Sequence, residues 1–240
     1  MDILASLDLG ASEGKTMDLV IFDCDGVLVD SELITNRVFA RMINELGVHV
    51  TLEDMFEQFV GRSMAYCCDL IAGMLKKPIP DDFAEQYHIR TTAALHGELE
   101  PVPGIESVLN ELNERGVPFC VASSGSHEKM RTTLGITGLL SRFQNNLFSV
   151  TEVANGKPAP DVFLFAAEKT GATPSRCYVV EDTPTGVTAG VAAGMTVFGY
   201  CALTPAHRLI EAGAHYTISE MSKLPRIWFD DMHPDVAKTL

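Results

Sequence analysis

With 240 residues and a mass of 26.1 kDa, the chain can bury one sizeable core, or a core carrying a smaller insertion, without help from disulfides. Apolar residues make up 46% and charged residues 21%, ordinary globular usage, and no apolar run approaches the ~20 residues of a membrane span. A formal charge of −14 argues against nucleic acid and anionic membrane surfaces as partners, so an anionic substrate requires a few cations to converge locally.

The opening residues 1–16 have neither a basic start nor a long apolar stretch, and they read as a flexible leader rather than a secretory signal. The first short apolar run, Leu19 to Phe22, is too short for a helix and runs straight into Asp23-Cys24-Asp25-Gly26. From Glu32 to Glu100 come four helical stretches and no strand, which reads as an inserted helical cap. Asp30-Ser31 marks one exit and the prolines and glycine of Glu100 to Gly104 the other, so two linkers form a hinge. Ile105, Val108, Leu109 and Leu112 then follow the spacing of a helix, which Gly116 and Pro118 end.

Phe119 to Ala122 is the second strand, leading into Ser123-Ser124-Gly125. Asn146 to Val150, Tyr178 to Val180, Thr196 to Phe198 and Tyr216 to Ile218 follow as further short runs, most of them β-branched or aromatic, and the fourth strand ends in Glu181-Asp182. Strands alternating with helices predict an α/β fold, a doubly wound parallel sheet, with the core in residues 17–31 and 101–222 and the cap in 32–100. The tail, 223–240, holds the only Trp and shows no clear pattern. Six cysteines without a C-x-x-C spacing are expected to be reduced thiols, in keeping with a cytoplasmic location.

In an open parallel sheet ligands bind beyond the carboxyl ends of the strands, and three predicted strands end in reactive groups. Asp23, Asp25, Glu181 and Asp182 on one edge repel unless a divalent cation or protonation neutralises them, and an all-oxygen set suits Mg²⁺ better than zinc. A carboxylate can accept a phosphoryl group once the phosphate charge is screened, which suits Asp23, and Asp25 is placed to move protons. The hydroxyls of Ser123 and Ser124, nearby main-chain amides and Lys157, stiffened between Gly156 and Pro158, are candidates for binding phosphate. Taken singly, each feature is an ordinary turn, helix cap or loop cation. Local structure does not require all of them together, in this order, each at or near a strand end.

The stretch from Asp23 through Gly26 and Asp30 to Glu32 resembles the first signature of the haloacid dehalogenase superfamily, in the branch holding β-phosphoglucomutase and many sugar phosphatases. Val121 to Ser124 is similar to the second signature, Lys157 to Asp161 to the third and Val180 to Gly186 to the fourth, over about Met17 to Ile218. The resemblance implies a doubly wound core with a small helical cap entering after the first strand. It implies Asp23 as nucleophile, Asp25 as acid and base, and Ser123 and Lys157 as phosphate contacts. Mg²⁺ would sit on Asp23, the main-chain oxygen of Asp25 and Asp182, with Glu181 in or beside that shell. The expected substrate is a small phosphorylated metabolite, a sugar phosphate or phosphorylated sugar acid by analogy with that branch. The cap must select it, with Arg62 and Arg90 as candidate contacts.

Superfamily dehalogenases lack the second aspartate that this chain has as Asp25, and a phosphonate-cleaving lysine has only Lys76 and Lys77 as cap candidates, in an apparent loop. Two other functions stay open. A mutase would need the histidine that the mutase members carry in the first cap helix, where an ungapped alignment places Thr35, so water is the expected acceptor. A catalytically inactive binding protein on the same fold would not need the full set of reacting residues.

Overall fold

The computed structural model describes residues 17–59, 64–143 and 146–230. The proposed leader, Arg62 and the last ten residues of the tail lie outside them. Six parallel strands form one sheet in the order β3-β2-β1-β4-β5-β6: β1 is Leu19–Phe22, β2 Phe119–Ser123, β3 Leu147–Ser149, β4 Cys177–Glu181, β5 Thr196–Tyr200 and β6 Tyr216–Ile218. The expected α/β class and doubly wound parallel sheet are therefore present, and the strand order reverses between β1 and β4. That reversal opens a crevice at the carboxyl edge.

Both faces of the sheet are covered, which is why its strands read as continuous apolar runs. Along β1, Val20 and Phe22 point to one layer, while Leu19 and Ile21 point to the other; all four are fully buried. The first layer holds α5 (Ile105–Glu114), α6 (His127–Ile136), the short α7 (Leu140–Phe143) and α11 (Leu224–Phe229). The second holds α8 (Asp161–Thr170), α9 (Pro184–Ala192) and α10 (Ala206–Glu211). The helix foreseen from Ile105, Val108, Leu109 and Leu112 is α5, and those four residues are its buried face.

Four helices follow β1 without an intervening strand: α1 (Ser31–Glu45), α2 (Leu52–Gln58), α3 (Met64–Leu75) and α4 (Phe83–Glu98). They have an apolar cluster of their own, in which Phe39 meets Phe59, Phe83 and Tyr87 with ring centroids 5.8, 5.7 and 4.9 Å apart. The two linkers to this helical group are bonded to each other, the Asp30 N–H donating to the Glu100 carbonyl at 3.0 Å and the Val102 N–H to that of Leu28 at 3.0 Å. Among the described residues no helix is long and apolar enough to cross a membrane.

The tail is not wholly patternless. Leu224, Ile227 and Trp228 are buried on one face of α11, and the indole packs 5.8 Å from the Phe198 ring and 6.3 Å from that of Tyr178.

Candidate active site

Sheet register assembles the site. Phe22 is level with Val121 on one side and Val180 on the other, so the next residue of each strand, Asp23, Ala122 and Glu181, reaches the same edge together. The Asp23 N–H donates to the Val180 carbonyl at 3.0 Å, which fixes the residue at the strand end. Beyond it, the carbonyl of Cys24 accepts from the N–H groups of Leu28 and Val29, closing a tight turn that Gly26 enables with φ 76°. This turn holds Asp25 over the edge. A crevice of about 310 Å³ opens there, lined among others by Asp23, Asp25, Ser123, Ser124, Lys157 and Glu181. A larger depression of about 560 Å³ lies on the outside of α1 around Arg37, Arg41 and Leu52, and shares no residue with the crevice.

Lys157 is buried, with only 4% of its side chain exposed, and its ammonium donates to Asp23 Oδ1 and Glu181 Oε1, both at 2.6 Å, and to the Ala122 carbonyl at 3.0 Å. Its charge also lies 4.8 Å from the centre of the Phe163 ring. Burial works against the ammonium, but the two carboxylates outweigh it and hold the lysine firmly protonated. Asp23 itself is pushed up to about 7 by burial, with Lys157 pulling the other way and Glu181 adding repulsion. Ser123 is buried beside them, and its hydroxyl oxygen accepts from the Gly125 N–H at 3.0 Å, leaving the hydroxyl proton for a group in the crevice.

Glu181 and Asp182 have different surroundings. Both Glu181 oxygens are engaged, Oε1 by Lys157 and Oε2 by the N–H and hydroxyl of Thr183 at 3.0 and 2.9 Å. Asp182 is equally buried, yet its Oδ1 has no hydrogen-bond partner, and its carboxyl is pushed well up by burial and by Glu181, Glu32 and Asp23. An orphaned carboxylate oxygen beside Asp23 fits a hard divalent cation, which would satisfy it and offset the repulsion. No three His, Cys, Asp or Glu side chains among the described residues form a metal cage, so a cation here would need main-chain or substrate oxygens as well.

Asp25 is oriented by two contacts: the Ser31 hydroxyl donates to its Oδ1 at 2.6 Å and the Lys129 ammonium to its Oδ2 at 2.6 Å. Lys129 was not singled out by sequence. Its one local signal is a cation in the first turn of α6, where the helix dipole disfavours positive charge. Burial opposes its charge, but Asp25 more than compensates and raises it. Gly125 leaves room for its stem, since a Cβ there would lie 3.2 Å from Lys129 Cδ. Glu32, the last residue of the first signature, also lines the crevice and is pushed up to about 7 by burial and then by Asp25.

Of the arginines foreseen as cap contacts, Arg90 does not join this group. Arg90 lies on α4 but pairs with Glu45 of α1 at 2.6 Å on the exposed surface, where Arg37 likewise pairs with Glu98. Arg62 lies outside the described residues. On α4, His88, Thr92 and His96 instead line a cavity shared with Lys129.

The haloacid dehalogenase-like hydrolase family model matches residues 17–194. The chain is 31% identical over 213 residues to the 6-phosphogluconate phosphatase of Escherichia coli (strain K12), covering 88% of this chain and 95% of that protein. It is 32% identical over 193 residues to hexitol phosphatase A of the same organism, covering 80% and 86%. A crystal structure of a family hydrolase from Deinococcus radiodurans R1 with bound phosphate and sodium matches with a TM-score of 0.79 and 31% identity, covering 88% of this chain and 94% of that one.

Proposed function

The chain belongs to the haloacid dehalogenase-like hydrolases and is a phosphoric monoester hydrolase; on that footing, we propose that it is a Mg²⁺-dependent phosphatase of small sugar phosphates or phosphorylated sugar acids, working through an aspartyl-phosphate on Asp23. One observation carries the reading. Asp23, directly after β1, is buried against the Lys157 ammonium in the crevice, and beside it Asp182, packed against Gly26, has an Oδ1 with no partner. A structural salt bridge would not call for a second, unsatisfied acid beside it.

In the proposed reaction a carboxylate oxygen of Asp23 forms a bond to phosphorus as the bond to the sugar oxygen breaks. Asp25, held by Ser31 and Lys129, delivers its proton to that leaving oxygen. It then takes a proton from water as the water oxygen attacks phosphorus, which frees phosphate and restores the Asp23 carboxylate. Lys157 and the Ser123 hydroxyl bind the phosphate oxygens, and Glu181 keeps Lys157 in place. Mg²⁺, held by Asp23, the main-chain oxygen of Asp25 and Asp182, would screen the phosphate charge from the carboxylates around it. The helices α1 to α4 act as a cap over the crevice, and the names of the two Escherichia coli relatives support phosphorylated sugar acids and polyols as the substrate class.

The mutase alternative lacks support at Thr35, whose hydroxyl donates to the Glu32 carbonyl at 3.0 Å within its own helix. The test is phosphate release from a panel of phosphorylated sugars, acids and polyols, with Mg²⁺ and with excess chelator. Release that stops with chelator and returns with Mg²⁺ is expected. Full activity in chelator contradicts the metal, and conversion of sugar phosphates without phosphate release contradicts hydrolysis.

A further inference from the structure

The crevice has a neighbour. Between α4 and α6 lies a cavity of about 200 Å³. From α4 it is lined by His88, Thr92 and His96, which at intervals of four residues share one face of that helix. From α6 come Lys129 and Thr132, with Glu128 as the acidic lining residue. The two cavities meet at Lys129, which lines this one while its ammonium touches Asp25, a residue of the other.

Charge separates the roles of the two spaces. Asp23, Asp25, Glu32 and Glu181 line the crevice, Asp182 lies against Gly26 beside it, and Lys157 is committed to Asp23 and Glu181. A second anionic group on a substrate has no place among those carboxylates. The neighbouring cavity is lined by Lys129, whose ammonium has Asp25 as its one carboxylate partner among the described residues against two for Lys157, and by two histidines and threonine hydroxyls, a set suited to a carboxylate. We infer that this cavity receives the unphosphorylated end of the substrate, that this end carries a carboxylate, and that Lys129 is its main anchor. The inference rests on the phosphatase reading of the crevice, since it takes the phosphate to lie at Asp23.

Lys129 also orients Asp25, so its replacement slows every substrate, and the informative quantity is a ratio. The probes are 6-phosphogluconate and glucitol 6-phosphate, which differ only in a carboxylate against a CH₂OH at the far end. The wild-type enzyme is expected to prefer the acid in kcat/KM. Lys129→Met should lower that preference at least ten-fold, mostly through KM for the acid, and Lys129→Arg should retain most of it, which a merely structural role would not produce. Equal losses on the two probes, or a wild-type enzyme that favours the polyol, would overturn the inference while leaving the phosphatase reading intact. Failure of the wild-type enzyme to release phosphate from either probe or from 4-nitrophenyl phosphate defeats that reading, and the inference with it.

Discussion

Asp182 is the residue whose situation in the protein alone is least comfortable. Its buried Oδ1 is unpartnered, and burial with three neighbouring acids holds its proton far above the usual carboxylate range of about 3.8. An acid that keeps its proton more tightly folded than unfolded supports the fold at low pH and loses that support as pH rises. For Asp23 and Glu32, raised to about 7 from 3.8 and 4.5, the loss runs from the ordinary carboxylate range up to about 7, and for Asp182 it extends further. The metal-free protein should therefore melt lower at about pH 8 than at about pH 5, and Mg²⁺ should raise the midpoint more at the higher pH. Asp182→Asn removes one of the charges: it should flatten the pH dependence in chelator and shrink the Mg²⁺ shift. Thermal scans of both proteins at the two pH values check this, and identical pH slopes would show that Asp182 is not the strained acid.

At the scale of elements, α9 does two jobs through its first turn. Thr183 caps it, accepting from the Gly186 N–H at 3.1 Å, and the same hydroxyl donates to Glu181. Gly186 is required by packing, since a Cβ there would fall inside the Glu181 carboxylate. Gly186→Ala should push Glu181 away from Lys157, destabilise the fold by about 1–3 kcal/mol and lower kcat. Denaturant unfolding together with kcat measures both, and an unchanged kcat would separate Glu181 from the function of Lys157. The sequence predicts an acid and a cap here, and so the ends of β4 and α9 are legible, but which acid faces lysine and which faces open space depends on side-chain direction at the edge. The α11 helix was hidden for another reason. Its Leu224, Ile227 and Trp228 do follow helical spacing, but six residues give periodicity too few turns to distinguish a helix from a loop.

For the whole molecule, topology does the assembling. Strand order and register place the ends of β1, β2 and β4 side by side, so that residues as far apart as Asp23, Lys157 and Glu181 share one crevice. Strand-end acids are readable in a sequence because the carboxyl edge of a parallel sheet is where ligands bind. Lys129 was not, because its partner Asp25 is 104 residues away and the lysine falls in mid-turn on a helix. Arg90 misled because a cation on a helix next to the site can as readily pair outward, as it does with Glu45. These placements converge on one claim, that phosphate passes through Asp23. The direct measurement mixes the enzyme with excess sugar phosphate and Mg²⁺, quenches with borohydride, which reduces an acyl phosphate to an alcohol, and maps peptides by mass spectrometry. The account predicts reduction of Asp23 that requires substrate and disappears in Asp23→Asn; a reduced acid elsewhere, or none in the wild-type enzyme while phosphate is being released, would contradict it.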